Sequence, residues 1–294
     1  MKVTRSRALA LIGSAAFLTR CGSSAVRVGS KNFSENVTVA EIYAAALENA
    51  GMRVERHMIV GDTRDAHSAI MRAEIQLYPE YLGTGLVDVL GRTLPLAVSN
   101  PQAILGTLKR EYKRFGLTWL GYAPASDSQG LAVTRHVAGV FHLHTLSQCA
   151  RMAPRLRLAA PLEFSQRADG LPGLQRFYKG GFRFKAVRAL DIGLQYDALA
   201  NREAEVALVF TSSPQIGRHD LVVLKDDLHF WPPYNISPVV RFDALRANPQ
   251  IAATLDRVSR RLTIKALHKL NVEVEVNKGD PVLVARRFLI GELQ

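Results

Sequence analysis

Aromatic rings and fixed hydrogen-bond donors recur together at three places in this 294-residue chain: Gly29-Ser30-Lys31-Asn32-Phe33, Tyr78-Pro79-Glu80-Tyr81-Leu82-Gly83-Thr84-Gly85, and Phe230-Trp231-Pro232-Pro233-Tyr234. Each closes an apparent strand, the position from which α/β proteins usually touch a ligand. The face of an aromatic ring attracts a cation, while Lys and Thr hold an anion. A small zwitterion satisfies both demands. Residues for bond chemistry do not assemble in the same way. The eight His are scattered, and His142-Leu143-His144, the one close pair, has no third ligand nearby. The sequence holds no Gly-x-Ser-x-Gly turn, no phosphate-binding glycine loop and no zinc-type cysteine pair. Asp226-Asp227 reads as an acidic surface turn and not as an acid/base couple. The pattern is that of a binder without cofactor or metal, not of an enzyme.

The elements that must position these residues alternate. Val26 to Gly29 reads as a strand, and Ser34 as the N-cap of a helix with Val39, Ile42, Ala46, Leu47 and Ala50 on one face before Gly51. Arg53 to Val60 follows as a strand, Thr63 to Ala73 as a helix and Glu74 to Tyr78 as a strand. Asn100-Pro101 opens a further helix with a buried stripe of Ile104, Leu105, Leu108, Tyr112 and Phe115. Extended segments at Leu117 to Tyr122 and Gly130 to Thr134 lead into a second series. Its strands are Leu156 to Ala160, Ala186 to Leu190, Ala204 to Phe210 and Leu221 to Leu224, with a helix over Gly193 to Asn201. From Asp243 the tail is mainly helical. Two such halves predict α/β architecture with a mostly parallel sheet in each. The chain is expected to leave the first half near residue 128 and to return near 237.

The first 25 residues read as an export segment. Lys2, Arg5 and Arg7 precede the apolar run Ala8 to Thr19, which is too short to span a membrane. Leu18-Thr19-Arg20-Cys21 is similar to a bacterial lipobox, with lipidation at Cys21, although Arg20 stands where such motifs carry a small residue. Ordinary cleavage near Ala15-Ala16 or Ser24-Ala25 is the other outcome. Either way Cys149 is left alone, and the mature chain must hold its fold without a disulfide. The formal charge of +12 includes Lys2, Arg5, Arg7 and Arg20, so about +8 remains after export. It is scattered, with no dense basic run and no aromatic platform for nucleic acid. A solvated basic surface accounts for it, with attraction to anionic lipid headgroups as a secondary effect.

Four blocks together resemble the substrate-binding proteins of bacterial osmoprotectant ABC importers, the glycine betaine, choline and carnitine binders of the OpuAC type. They are Val28-Gly-Ser-Lys-Asn-Phe-Ser-Glu35, Ile75-Gln-Leu-Tyr-Pro-Glu-Tyr-Leu-Gly-Thr84, Arg167-Ala-Asp-Gly-Leu-Pro-Gly-Leu174 and Leu221-Val-Val-Leu-Lys-Asp-Asp-Leu-His-Phe-Trp-Pro-Pro-Tyr234. The resemblance covers nearly all of the mature chain. It implies a two-lobed periplasmic-binding-protein fold, type II-like, with two hinge crossings: residues 26–128 with 238–294 as the first lobe, 129–237 as the second. It further implies delivery of a quaternary-ammonium zwitterion to an ABC permease, by a monomer in the periplasm or on the outer face of the membrane. A receptor-coupled sensor, a site retuned for another small cationic or zwitterionic solute, and an extracellular hydrolase on the same scaffold are the alternatives.

Carried over residue by residue, Lys31, Thr84 and Arg167 match the carboxylate-side motifs, and Tyr81 and Tyr234 match cage positions. The lobe-crossing segment reads Ser126-Asp127-Ser128-Gln129-Gly130. Asp127 and Gln129 join the expected site from it, Gln129 standing where members of the family tend to carry a Tyr. Phe210 stands where another Tyr is usual, and Asn36 replaces a common Gln. Losing one ring wall weakens a cation–π site by about tenfold. Each assignment has a plainer counterpart: Lys31 as a solvated loop residue, Thr84 as a cap for a helix near Gly85, Arg167 as a surface ion pair with Asp169, Phe230 and Trp231 as hinge packing. Tyr78, three residues from Tyr81, is expected to point into the core.

Overall fold

Ten strands organise the computed structural model, which describes residues 25–92 and 100–293. The leader and Cys21 therefore lie outside the described residues. In chain order the strands are β1 (Val26–Gly29), β2 (Val54–His57), β3 (Leu77–Tyr81), β4 (Leu117–Trp119), β5 (Gln129–Thr134), β6 (Arg157–Ala160), β7 (Ala186–Ala189), β8 (Val206–Phe210), β9 (Leu221–Val223) and β10 (Ile236–Arg241). They form two five-stranded sheets, ordered β2-β1-β3-β10-β4 and β7-β6-β8-β5-β9. Apolar clusters cover both faces of each sheet.

Both sheets are mixed, where the alternating pattern predicts mostly parallel ones. β1 runs parallel to β2 and β3, but β10 runs antiparallel to β3 and β4. In the second sheet β6 is parallel to β7 and β8, whereas β5 is antiparallel to β8 and β9. The reversed strands are the two that carry the chain between sheets. β10 begins earlier than the expected return: Ile236 and Ser237 already pair with Tyr81 and Glu80 of the first sheet. The crossing segments also touch each other. Ser126 bridges Asn235, the Asp127 N–H donates to the Tyr234 carbonyl at 3.2 Å, and Asn235 Nδ2 donates to the Ala123 carbonyl at 3.0 Å. A two-stranded tether joins the halves.

The first helix, α1 (Ser34–Asn49), is buried on nearly every side, not along one stripe. One side meets the sheet, and the returning tail covers another with Gln250–Ser259 and Pro281–Leu289. Ser34 is not its cap. Phe33 holds the extended cap position without a side-chain bond, and Ser34 Oγ donates to Glu275 Oε1 at 2.8 Å. In β3 the alternation of a strand separates the two tyrosines as expected: Tyr78 enters the core beneath Trp119, and Tyr81 faces the other side. Cys149 is buried and free, its thiol pushed up to about 12 by burial. Among the described residues, no helix is long and apolar enough to cross a membrane.

Candidate functional site

Lys31 leaves β1 in a loop that Asn36 pins. The Lys31 N–H donates to Asn36 Oδ1 at 2.7 Å, and Asn36 Nδ2 donates to the Pro79 carbonyl at 2.9 Å, tying the loop to β3. The lysine side chain is not solvated. It is 4% exposed, and its Nζ lies 2.6 Å from Oε1 of Glu80, which is 0% exposed. Burial pushes the Glu80 carboxyl upward, and the Lys31 charge opposes that push. Lys31 Nζ also stands 4.8 Å from the Tyr81 ring centroid and 5.4 Å from that of Phe33. The expected carboxylate anchor is thus already engaged by a protein carboxylate.

Arg167 belongs to the second half, and its partner Asp169 is buried; the pair is not a surface one. Nε donates to Asp169 Oδ1 at 2.7 Å and Nη2 to Oδ2 at 2.6 Å, a bidentate fork. Nη1 donates to Glu163 at 3.0 Å. Across the cleft Nη2 reaches Thr84 Oγ1 at 3.3 Å, and Nη1 lies 3.8 Å from Asp88. Burial alone would raise the Asp169 carboxyl; the charge and hydrogen bonds of Arg167 outweigh it and hold the group below its usual range. Thr84 caps no helix, because the short helix Leu82–Thr84 runs directly into the π-helical turn Gly85–Val89 and offers no fresh N-terminus.

Tyr234 and Gln129 complete this network from the crossings. The Tyr234 hydroxyl donates to Asp169 Oδ2 at 2.5 Å, and Gln129 Nε2 donates to the same oxygen at 3.1 Å and to Tyr234 Oη at 3.2 Å. Gln129 therefore meets the network with an amide where the resemblance implied a ring. Of the two expected hinge residues, Trp231 packs against cores of both halves and donates Nε1–H to the Asp169 carbonyl at 2.9 Å, while Phe230 is buried in the second core. The Tyr234 ring lies on Gly83, so closely that a Cβ there would stand 2.7 Å from Tyr234 Cε1.

The ring wall runs Tyr81, Phe33, Phe210. Tyr81 and Phe33 stack with centroids 6.2 Å apart and planes at 24°, and Phe33 and Phe210 at 6.3 Å and 3°. Sequence reasoning assigns Phe33 no role; its place two residues after Lys31, in the short loop between β1 and α1, is the available signal. Beside the rings, Asp127 Oδ1 accepts the Ser212 N–H at 2.9 Å. Burial and the neighbouring charge of Glu35 push the Asp127 carboxyl well up. Glu35 accepts from the Tyr81 hydroxyl at 2.7 Å, from Ser212 Oγ at 2.5 Å and from Asn271 Nδ2 at 2.7 Å, joining both halves.

Lys31, Tyr81, Thr84, Asp127, Gln129, Arg167, Phe210 and Tyr234 all line one cavity of about 60 Å³ between the two sheets. Sequence reasoning missed others on its walls: Phe33, Asp62, Thr63, Glu163, Phe164 and Ile192. Both lining cations have carboxylate partners, whereas Asp127 has no ion-pair partner among the described residues. Ring faces beside an unpaired carboxylate suit a cationic group. An incoming anion would have to displace a protein carboxylate from Arg167 or Lys31. Among the described residues, no three His, Cys, Asp or Glu side chains are grouped to hold a metal.

Two α/β lobes, a paired tether and an interlobe cavity define a two-lobed solute-binding protein of the periplasmic-binding-protein fold. The chain belongs to the OpuAC family, described as the substrate-binding domain of ABC-type glycine betaine transport systems, which matches residues 24–291. It is similar to the ergothioneine transport permease/ergothioneine binding protein EgtU of Helicobacter pylori (strain G27), 31% identical over 89% of this chain. The chain spans only 46% of the length of that relative. It is also similar to the carnitine transport binding protein OpuCC of Listeria monocytogenes, 28% identical over 95% of this chain and 93% of the relative. A crystal structure described as a glycine betaine/carnitine/choline ABC transporter superposes with a TM-score of 0.71 at 27% identity, covering 90% of this chain and 97% of its own.

Proposed function

We propose that the chain captures a small quaternary-ammonium zwitterion between its lobes, outside the cytoplasm, and presents the closed form to an ABC permease. The lobes in this reading are residues 26–128 with 238–294, and 129–237, apart from the few residues of the returning crossing. Capture rests on closure without bond chemistry: the ligand bridges groups from both halves and so favours the closed arrangement. Cys21 serves as the lipid anchor of the exported protein.

The observation that carries this reading is the aligned wall of Tyr81, Phe33 and Phe210 next to the unpaired Asp127. It supplies π faces and, once the raised Asp127 carboxyl ionises, a negative charge at one end of the cavity. The other end supplies the Thr84 hydroxyl and the Arg167 guanidinium, which exchanges Glu163 or Asp169 for the ligand carboxylate. Calorimetric titration of the mature protein with glycine betaine, carnitine and ergothioneine tests it. Saturable binding of at least one is expected, lost in Tyr81→Ala and in Tyr234→Ala while the circular dichroism spectrum is kept. Unchanged affinity in both variants would remove the cage.

A further inference from the structure

The first lobe carries, away from the cavity, a face that is both apolar and basic. It is built by the last helix, Pro281–Leu289, and by the turn between the helices Gln250–Ser259 and Ile264–Asn271. Arg261 joins the two parts, its Nη2 donating to the carbonyls of Phe288 at 2.6 Å and Leu289 at 2.9 Å. Val284, Ala285 and Phe288 turn the inner side of the last helix into the core. A surface helix normally turns polar residues outward. Here Leu283, 58% exposed, and Ile290, 75% exposed, stand seven residues apart on the outer side, with exposed Arg286 and Arg287 between them. In the turn, Ile264 is 51% exposed and is flanked by exposed Arg260 and Lys265. From Arg257 to Leu270 the chain has five Lys or Arg and no Asp or Glu. Glu273 and Glu292 hold Arg287, whereas Arg257, Arg260 and Lys265 have no ion pair among the described residues.

This face reaches the end of the lobe from which the chain leaves. α1 runs from the cavity at Phe33 to Asn49. At its last turn the hydrogen bonds of Arg56 hold the Glu48 carboxyl below its ordinary range, and the charge of Arg286 adds to them. Just beyond α1 the Arg53 carbonyl accepts the Val26 N–H at 2.8 Å, so the start of β1 lies at the same end. Cys21 stands four residues before Ala25, a span of at most about 14 Å. A lipid on Cys21 would hold this end of the lobe against a bilayer. Aliphatic side chains interleaved with unpaired cations fit such a surface, because anionic headgroups attract Lys and Arg while the acyl boundary takes up Ile and Leu.

We propose that this face rests on the outer surface of the membrane, with Arg257, Arg260 and Lys265 on anionic phospholipid headgroups and Ile264, Leu283 and Ile290 in the boundary beneath them. The proposal rests on the export and Cys21 anchor read above for the membrane it meets. The face itself binds lipid whether or not Cys21 is modified, and whichever solute the cleft holds.

Co-sedimentation of the mature chain carrying Cys21→Ser, and so no lipid of its own, measures the face alone. The probes are vesicles of phosphatidylcholine with about 30 mol% phosphatidylglycerol, and of phosphatidylcholine only. Binding to the anionic vesicles should be at least about tenfold tighter, and should weaken as salt rises. Arg260→Gln with Lys265→Gln should weaken it by about 20-fold, and Ile264→Ser with Ile290→Ser by about tenfold. All four side chains are exposed or half-buried at the surface, and Tm should stay unchanged. Lys109→Gln with Lys113→Gln removes the same charge from the other side of the first sheet and should shift affinity less than about twofold. Equal affinity for the two vesicles, an equal loss in the Lys109 and Lys113 variant, or no loss in the isoleucine variant overturns the proposal. A dimer in solution that the isoleucine variant dissolves would make the face an interface between copies and overturn it as well. Mass spectrometry of Cys21 in the exported protein tests the anchor separately, so the failure of one is not mistaken for the failure of the other.

Discussion

Replacing Lys31 by Met asks what that lysine is for. Its ammonium is 2.6 Å from Glu80, and both groups are buried. Taking away one partner leaves a carboxylate in the interior beneath β10, and breaking such a pair costs about 3–5 kcal/mol. For a protein of this size, each kcal/mol corresponds to about 2–4 °C in Tm, so a fall of about 6–20 °C is expected. Glu80 tempers the loss by taking up a proton. Its folded-state pKa already lies above the ordinary glutamate value because of burial, and without Lys31 it moves further up. An unfolded chain ionises this glutamate at about pH 4.3. Stability contributed by a carboxyl raised in the folded state is complete below that pH and declines as pH climbs through the folded value. Lys31→Met should therefore lose more stability at pH 7.5 than at pH 5. Adding Glu80→Gln removes the stranded charge, and the double variant should regain most of the loss. Urea denaturation at both pH values, run as a double-mutant cycle, measures this. Additive losses in the double variant, or a Tm change below about 2 °C in Lys31→Met, would show that the pair carries no such coupling.

Two further outcomes follow from the site. Gly83→Ala places a methyl against the Tyr234 ring and should cost about 1–3 kcal/mol. It should weaken ligand binding more than it lowers Tm, and calorimetry beside thermal unfolding separates the two. Because the Asp127 carboxyl is raised, affinity for a cationic headgroup should climb as pH rises through its titration, and Asp127→Asn should flatten that profile; an unchanged slope in the variant removes Asp127 from the cation site.

The two α/β halves were legible because strand and helix periods alternate clearly from Val26 to Leu224. β10 was not: Ile236–Arg241 shows little alternation and contains Pro238, which argues against a central strand from sequence alone. Its antiparallel direction depends on the crossing topology, which no local pattern encodes. The expected site residues do line one cavity, since strand-end motifs place them there. Their electrostatics were harder to read. Glu80 and Asp169 lie inside the very motifs that nominated Lys31 and Arg167, yet only burial turns these neighbours into strong partners. Glu35 and Asn271, which stitch the halves together, are 236 residues apart, beyond the reach of any spacing rule.

Positive charge on the trimethylated head should be what the aromatic wall recognises, beyond its bulk. Glycine betaine and 3,3-dimethylbutanoate differ chiefly in having nitrogen or carbon at that centre, so titrating both into the mature protein isolates the charge. The betaine should bind at least about tenfold more tightly; equal affinities, or preference for the carbon isostere, would contradict a cation site built from Phe33, Tyr81, Phe210 and Asp127.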